Sequence, residues 1–292
     1  MDRPKPFCIW VWVAHFRVRL CLCIQSNSTC SNLQVTNEHI CWHYDHSKDR
    51  QVKGINFISL LYHSQGVSLP IGFVLVTKTE IYKDEKTGKP KRRSTITKNE
   101  HYRQMLKQAV QNQVEFSYVL NDIWYAAAEN MNFIKQELKK DFIMPLKSNR
   151  KVALSQDDKR KGKYVCVEAV DIKRGCIKSI YLEGVEFPLL LAKQIFTNED
   201  GSTGILYLAT SDTSLTYERI TTIYQKRWKV EEYHKSLKQN VSLSKSPTQT
   251  INSQTNHFFA ALWGYIAVFR SERSGGLGAL PPRRGSTPSP QK

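Results

Sequence analysis

A β-hairpin followed by alternating helices and strands is the feature that most limits the folds open to this chain. Residues 55–63 (INFISLLYH) and 67–81 (VSLPIGFVLVTKTEI) are apolar runs rich in β-branched and aromatic residues, and residues 64–66 (SQG) separate them. Two such runs around a short glycine-bearing turn predict a hairpin. Residues 99–113 then place apolar side chains at helical spacing. This order favours a mixed α/β core.

The rest of the chain continues the alternation. We predict a strand over 115–120, a helix over 126–138 and a strand over 142–146. Polar and glycine-bearing turns then separate four β-like runs, which are 164–172, 177–182, 187–196 and 204–209. The longest helical pattern follows at 216–239. Together these segments predict a β-rich insertion over about 147–212, placed before the last long helix.

The charge of the chain points to its partners. Its 292 residues hold 43 Lys+Arg against 26 Asp+Glu, a formal net charge of +17 at pH 7. The usual partner for such an excess is polyanionic nucleic acid. Basic stretches at 89–93, 147–151 and 159–163 favour DNA binding, and solubilising loops are the alternative for them. Because hydrophobic residues make up 40% of the chain, disorder along its whole length is excluded.

The cysteines and the apolar segments indicate a cytoplasmic protein. There are 7 cysteines, an odd number, which favours free thiols in a reducing compartment. The apolar run 7–14 is too short to span a bilayer, and charged residues rather than a cleavage site follow it. We therefore predict a cytoplasmic location (at the nucleoid if the source is bacterial) and no membrane partner.

The predicted helix 216–239 carries the residues with the most chemistry. At about 100° per residue, Tyr224, Arg227, Glu231 and Lys238 fall within roughly 60° of one another. A carboxylate between cations stays ionised and can ligate a hard divalent ion. The two cations can hold phosphates beside it. From periodicity alone, the alternative is a solvated helix face with Arg227–Glu231 ion pairing.

Asp122 is the second candidate carboxylate. It follows an apolar strand and precedes a helix, and open α/β sheets place their chemistry at the carboxyl ends of strands. A turn or helix-capping role is the alternative. Two carboxylates that share two divalent ions suit attack on a phosphodiester, so Asp122 and Glu231 form the candidate pair.

These residues resemble those of a known family. The spacing Tyr-x2-Arg-x3-Glu-x6-Lys, present as Tyr224, Arg227, Glu231 and Lys238, resembles the signature helix of DDE transposases of the insertion-sequence-four type. The segment FSYVLNDIWYAAAEN resembles the stretch that carries their second Asp, here Asp122. The segment NEHICWHYDHSKDRQVKGINFISLLYHSQGVSLPIGF looks like their hairpin region, so that the resemblance covers residues 36–268.

The resemblance implies both a fold and an activity. The fold is an RNase H-like α/β core with a β-rich insertion before the last acidic helix. The activity is DNA cleavage and strand transfer at transposon ends, dependent on Mg²⁺ or Mn²⁺, by a homodimer assembled on DNA. Asp122 and Glu231 would be the catalytic metal ligands. Tyr224, Arg227 and Lys238 would contact DNA phosphates.

Both ends of the chain depart from the family pattern. The first catalytic Asp is expected upstream of Asn37, yet the chain has no Asp between Asp2 and Asp45 and no Glu before Glu38. We therefore expect impaired catalysis, because two carboxylates do not hold two ions in line, and Asp45 is only a weak substitute ligand. A non-catalytic basic DNA-binding remnant is the alternative function.

The domain organisation predicted from these patterns has three parts. Residues 1–35 form an aberrant N-terminal segment without a clear fold, and the expected first core strand is replaced there by RVRLCLCIQSNSTCSN. Residues 36–268 form the DDE catalytic domain. Residues 269–292, rich in Pro, Gly, Ser and Arg, form a disordered basic tail.

Overall fold

A computed structural model describes residues 8–16, 40–45, 50–85, 87–197, 200–241 and 250–273. The strands in these ranges form an 11-stranded sheet and a separate two-stranded ribbon. No helix within the described ranges is both long and apolar enough to cross a bilayer.

The predicted hairpin is confirmed at the start of the sheet. Strand β3 (Arg50–Ser64) pairs antiparallel with β4 (Val67–Val76). Gln65 and Gly66 join them at φ of 49° and 80°, the left-handed backbone typical of a tight two-residue hairpin turn. Strand β2 (Ile40–Asp45) pairs with Arg50–Ile55, a part of β3 that extends past its pairing with β4.

Strand β1 (Cys8–Phe16) lies within the segment for which the sequence predicted no clear fold. It pairs antiparallel with the 55–63 part of β3 on one side and parallel with β7 (Tyr118–Asn121) on the other. The strand is therefore present in the centre of the sheet, earlier in the chain than the replaced stretch at 17–32. The almost continuous apolar run CIWVWVAHF is typical of a strand in the centre of a sheet that is covered on both faces.

A ribbon and a helix connect the hairpin to the central strands. Strands β5 (Glu80–Lys83) and β6 (Pro90–Arg93) form the separate ribbon, and helix α1 (Lys98–Gln111) follows, close to the predicted 99–113. A capping box begins α1, because Thr97 Oγ1 accepts from the Glu100 amide at 3.2 Å and Glu100 Oε2 accepts from the Thr97 amide at 2.6 Å.

Strand β8 (Asp141–Leu146) pairs parallel with β7, which confirms both predicted strands. The segment between them begins with a 3₁₀ turn (Ile123–Tyr125), continues as helix α2 (Ala128–Asn132) and ends as a π-helical turn (Phe133–Glu137). The predicted helix 126–138 is therefore present with an irregular second half. Part of the sheet now has the order β4-β3-β1-β7-β8, in which only β3 runs in the opposite direction.

A β-rich stretch extends the sheet beyond β8. It comprises β9 (Lys151–Ala153), α3 (Gln156–Arg160), β10 (Val165–Cys166), β11 (Ile177–Leu182), β12 (Leu189–Thr197) and β13 (Thr203–Thr210). Strand β13 pairs with β8, and the order outward is β13-β12-β11-β9-β10. Three of the four predicted runs are confirmed as strands. The run 164–172 is confirmed as a strand only at Val165–Cys166. A 3₁₀ turn, Val167–Ala169, follows, and Val167, Val170 and Ile172 pack into the core from this turn and the residues after it.

Three helices end the described chain. The predicted helix 216–239 is two helices, α4 (Tyr217–Gln225) and α5 (Trp228–Gln239). Helix α6 (Ile251–Arg273) was not predicted, and it continues into the first residues of the predicted tail 269–292. Residues 274–292 of that tail lie outside the described residues.

Helices cover both faces of the sheet. Side chains from α1 and from the π-helical turn that follows α2, among them Tyr102, Leu106 and Ile134, pack on one face with Ile58 and Val119. The helices α4, α5 and α6 pack on the other face with Ile55, Phe57, Leu61, Leu120 and Ile143. The mixed α/β class is thus confirmed, and the central strands read as apolar runs because both of their faces are buried.

Candidate active site

The candidate site lies at one edge of the sheet. Because β1, β4, β7 and β8 run in the same direction, their carboxyl ends point towards the same side of the molecule. We call this side the carboxyl edge, and define it by Val76, Asn121 and Leu146 at the ends of β4, β7 and β8. Asp122 follows β7 directly, the position at which open α/β sheets carry their chemistry.

Asp122 caps the 3₁₀ turn that follows β7. Its Oδ1 accepts a hydrogen bond from the Ile123 amide at 2.5 Å, so the capping role considered from the sequence is present. Its other carboxylate oxygen, Oδ2, is not used by that cap. Trp124, two residues on, is 62% exposed, and Lys147 after β8 lies 5.1 Å above its ring. Asp122 therefore lies beside an exposed aromatic side chain that carries a cation.

The joint between α4 and α5 sets the positions of the other candidate residues. The amide of Arg227 donates to the Tyr224 carbonyl at 2.9 Å, and the amide of Val230 donates to the Arg227 carbonyl at 3.1 Å. These bonds span three residues, as in a 3₁₀ helix, where residues i and i+3 lie one above the other. Consequently the Arg227 guanidinium lies 5.9 Å from the centre of the Tyr224 ring. The single continuous helix predicted from 100° periodicity is wrong at this point.

Arg227 connects the aromatic residues of the joint to Glu231. Its Nη1 lies 3.5 Å from Glu231 Oε1, and its guanidinium also lies 5.2 Å from the centre of the Trp228 ring. The Arg227 side chain is only 16% exposed, whereas that of Glu231 is 40% exposed. The guanidinium is therefore held in place by two rings and a carboxylate. The i,i+4 ion pair that periodicity alone suggested is therefore present, and two aromatic rings restrict its arginine as well.

The electrostatics of Tyr224 link this helix pair to Asp122. Burial raises the pKa of the Tyr224 hydroxyl to about 12, Arg227 counteracts that rise, and the charge of Asp122 adds to it. Asp122 is thus close enough for its charge to act on Tyr224. Two segments more than 100 residues apart in the chain are therefore within electrostatic range of one another here, and Arg227 links Tyr224 to Glu231.

Packing against the sheet orients Glu231. Val230, Tyr233 and Leu237 are buried on the side of α5 that faces the sheet, and α5 lies against the central strand β1. Glu231, next to Val230, lies at the border between this buried face and solvent. Lys238 belongs to α5, but its side chain lies outside the described part of the structure.

The donor set does not fit two metal ions. Val11 of β1 pairs with Asn121, so Trp12 is the β1 residue next to Asp122, and β1 (CIWVWVAHF) contains no carboxylate. Across the described ranges, no three His, Cys, Asp or Glu residues are grouped so as to hold a metal ion. Two carboxylates suit at most one Mg²⁺, which commonly takes one or two carboxylates and fills its other positions with water and phosphate oxygens.

The strand register separates Asp45 from this site. Asp45 pairs with Arg50 of β3, whereas Trp12 pairs with Ser59, nine residues further along the same strand. At about 3.3 Å per residue, this is about 30 Å along β3. Carboxylates that share metal ions about 4 Å apart must lie far closer than that. The structure thus links Glu231 to Tyr224 through Arg227, leaves Asp122 within electrostatic range of Tyr224, and separates Asp45 from Trp12 along β3.

Two tryptophans of the site, Trp124 and Trp228, were not singled out from the sequence as functional, and Lys147 was named only as part of the basic stretch 147–151. Each tryptophan has a cation against its ring: Lys147 lies above Trp124, and Arg227 lies above Trp228. Both tryptophans are more than 60% exposed, which is unusual for so large an apolar side chain. The available signal was the position of each Trp, two or three residues from a candidate carboxylate.

These features define a mixed α/β domain with two carboxylates and an ordered arginine at the carboxyl ends of parallel strands. Residues 77–267, about two thirds of the chain, match the family model described as the transposase DDE domain, and the chain belongs to that family. No curated protein matches the chain. The match confirms the transposase resemblance seen in the sequence, and it begins just after β4.

Proposed function

We propose that this chain is a transposase of the insertion-sequence-four type that holds transposon-end DNA and is impaired in cutting it. The observation that carries the proposal is the contrast within the site. Arg227 is held between two rings beside Glu231, whereas the strand next to Asp122 supplies no carboxylate. The groups suited to binding phosphate are in place, and one group needed for two-ion chemistry is not.

The residues divide into DNA-binding and metal-binding roles. Arg227 binds a DNA phosphate, because a guanidinium presents paired donors that match phosphate oxygens. Tyr224 is buried, so it acts by positioning Arg227 rather than by broad contact with DNA. Lys238 would add a second phosphate contact, as the Tyr-Arg-Glu-Lys signature implies. Asp122 and Glu231 would hold one Mg²⁺ or Mn²⁺, which when bound would neutralise phosphate charge.

The fold supports this proposal. The order β4-β3-β1-β7-β8, with β3 alone reversed, is consistent with an RNase H-like core. The strands β9 to β13 then form the β-rich insertion, since they lie between β8 and the helices that carry Arg227 and Glu231. We extend the proposal to a homodimer assembled on the DNA ends, which analytical ultracentrifugation with and without DNA can test.

A binding experiment tests the first half of the proposal. The probes are duplexes made from the ends of the element that encodes the chain, and a duplex of unrelated sequence is the control. Arg227→Ala should weaken binding to the end duplexes by about tenfold or more, because it removes a charge-assisted phosphate contact. Unchanged affinity would refute the assigned role of Arg227. No binding to any duplex by the unaltered chain would refute the function.

A gain-of-function experiment tests the second half. Trp12→Asp returns a carboxylate to the β1 position next to Asp122, and Val13→Asp is the matched control, because successive strand residues face opposite sides of a sheet. We expect Mn²⁺, followed by its electron paramagnetic resonance signal, to bind more tightly to the Trp12→Asp variant alone, and end-duplex nicking to rise with it. Asp122→Asn should cancel both effects. Equal behaviour of the two β1 variants would contradict the account.

A further inference from the structure

The ribbon β5–β6 divides its residues between two unlike faces. Directly paired residues of antiparallel strands lie on the same face, and neighbours along a strand alternate between faces. The pairs Glu80↔Arg93 and Tyr82↔Lys91 therefore share one face, whereas Ile81↔Arg92 and Lys83↔Pro90 share the other. We call these the closed face and the open face of the ribbon.

The charges of the closed face are neutralised within the ribbon. Arg93 donates two hydrogen bonds to Glu80, from Nε to Oε2 at 2.9 Å and from Nη2 to Oε1 at 2.7 Å, and its guanidinium lies 5.4 Å from the Tyr82 ring centre. Lys91 is paired with Asp84. This face is satisfied by its own contacts and has little charge left for a partner.

The charges of the open face, in contrast, are not neutralised within the ribbon. Lys83 and Arg92 are its charged residues, and neither has an ion-pair partner in the described part of the chain. Between them Ile81 is 66% exposed. A surface with unpaired cations, an exposed apolar side chain and no acid has the composition of a contact with a polyanion that also has apolar surface. The sugar-phosphate backbone of DNA has both properties.

The position of the ribbon is consistent with such a contact. It begins four residues after β4 ends, at the carboxyl edge that also carries Asp122. Three strand spacings of about 4.8 Å and a few residues of stagger place Val76 about 15–20 Å from Asp122. A duplex whose backbone reaches Asp122 therefore passes within reach of the ribbon, and the major groove of B-DNA, about 12 Å wide, also admits a two-stranded ribbon.

Two more cations lie at the base of the ribbon. Lys98 begins α1, just after β6. Burial lowers the pKa of the Lys98 ammonium, and the charge of Lys78, which precedes β5, lowers it further. The two ammonium groups are thus close enough to repel one another. A phosphate placed between them would relieve that repulsion.

We propose that the open face of the ribbon, through Lys83 and Arg92 with Ile81 between them, is a docking surface for double-stranded DNA held at the carboxyl edge. The inference rests on the proposed DNA-binding function, and adds a site that the Tyr-Arg-Glu-Lys helix does not contain. The ribbon would contact DNA about 15–20 Å to the side of Asp122, three strand spacings across the sheet. It would therefore bind DNA flanking the position of cleavage rather than the position itself.

The first test counts phosphate contacts. Binding of the full chain to a fluorescent 30-base-pair duplex is measured as a function of salt, for the unaltered chain, for Lys83→Ser with Arg92→Ser, and for Lys173→Ser with Arg174→Ser. The last pair removes the same charge from an exposed turn before β11, outside the basic stretches that the sequence assigned to DNA binding. Each lost contact lowers the slope of log K against log salt by about 0.9, so the ribbon variant should lose about 1.8. The turn variant should keep the original slope.

The second test maps the face. A photo-crosslinking amino acid in place of Ile81 should attach to the duplex on illumination, and the same amino acid in place of its neighbour Tyr82, on the closed face, should attach far less. Equal crosslinking at the two positions, or equal loss of slope in the ribbon and turn variants, would overturn the proposal. Absence of DNA binding by the unaltered chain would instead refute the proposed function, so the two failures are distinguishable.

Discussion

Tyr118→Phe removes one hydrogen bond that ties the start of β7 to the turn before α4. The Tyr118 hydroxyl donates to Asp212 Oδ2 at 2.5 Å, while Asp212 Oδ1 accepts from the amide and hydroxyl of Ser214 at 3.0 and 2.6 Å. Tyr118 is only 8% exposed, and phenylalanine fits the same space without its hydroxyl. The loss of stability in this variant therefore measures what the Tyr118–Asp212 hydrogen bond contributes. That bond joins the central strand β7 to the segment before α4.

The expected loss follows from the charge and the partial burial of the pair. A hydrogen bond to a charged group contributes about 1.5–3 kcal/mol. Because Asp212 keeps its bonds from Ser214, we expect the lower part of this range, about 1.5–2 kcal/mol, in the free energy of unfolding at pH 7. For a chain of this size, that corresponds to a fall of about 2–4 °C in Tm.

The pH dependence adds a second signature. Burial by itself raises the pKa of Asp212, but hydrogen bonds from Ser214 and Tyr118 outweigh it and lower that pKa below its ordinary value of 3.8. A carboxyl with a lowered pKa in the folded state stabilises the protein above its unfolded pKa, and this contribution is lost as the pH falls through the folded value. The difference between Tyr118→Phe and the unaltered chain should therefore shrink below about pH 4.

Urea unfolding followed by tryptophan fluorescence, at pH 7 and at decreasing pH, measures both effects. Tyr102→Phe is the matched control, because the Tyr102 hydroxyl is buried and has no hydrogen-bond partner among the described residues. Its removal should leave stability unchanged or slightly higher, within about 0.5 kcal/mol. The reasoning is refuted if both variants lose the same stability, or if the Tyr118→Phe deficit persists unchanged at low pH.

Three further predictions concern the sheet and its helices. Gly66→Ala should lower the free energy of unfolding in urea by about 1–2 kcal/mol, because Gly66 has a φ of +80°. The same substitution in a peptide of the β3–β4 hairpin should lower the fraction of peptide that forms the turn. Burial and the charges of Lys226 and Lys229 lower the pKa of His63, so NMR titration should place it below 6.5, and stability should fall as the pH drops below that value. Leu237→Ala, which removes a fully buried contact of α5, should cost about 2–5 kcal/mol by thermal or urea unfolding.

Elements with a strong local signal were predicted well. The hairpin of β3 and β4 has a turn at Gln65-Gly66 that permits positive φ, so sequence and structure agree there. Helix α1 has an apolar stripe and a capping box at Thr97 and Glu100, both of which are local signals. By contrast, α6 presents apolar residues around much of its circumference, including exposed Phe259 and Trp263. It therefore has no clear stripe to detect.

Elements that depend on distant partners were predicted poorly. The strand β1 pairs with residues about 50 and 110 positions further along the chain, and such pairing leaves no short-range pattern. The run 164–172 has the pattern of a strand because Val167, Val170 and Ile172 are apolar. These side chains pack into the core, and that packing does not require the backbone to be extended. Tertiary packing determined the conformation there, as it often does for short apolar segments.

The site was predictable as to residue type and less so as to geometry. Tyr224, Arg227 and Glu231 were named from their spacing, and Asp122 from its position after a strand. In the structure Arg227 contacts Tyr224 and Glu231, and the charge of Asp122 acts on Tyr224. The stacking of Arg227 on Tyr224 depends on a 3₁₀ joint, which contains neither Gly nor Pro and so carries no visible signal. The roles of these residues stay predictions until the binding and metal experiments are done.

The joint between α4 and α5 limits which insertions and deletions this segment can accept during evolution. On one side of it Ile220 and Ile223 are anchored in the core, and on the other side Val230 is anchored. Loss or gain of one residue between them would turn α5 by about 100° about its axis. Val230 would then leave the core, or, if Val230 stayed buried, Glu231 would no longer lie at the border with solvent. The interval from Tyr224 to Glu231 is thus protected from insertion and deletion by packing alone. A copy with no DNA-cutting activity left to preserve would still conserve that interval for as long as it had to fold.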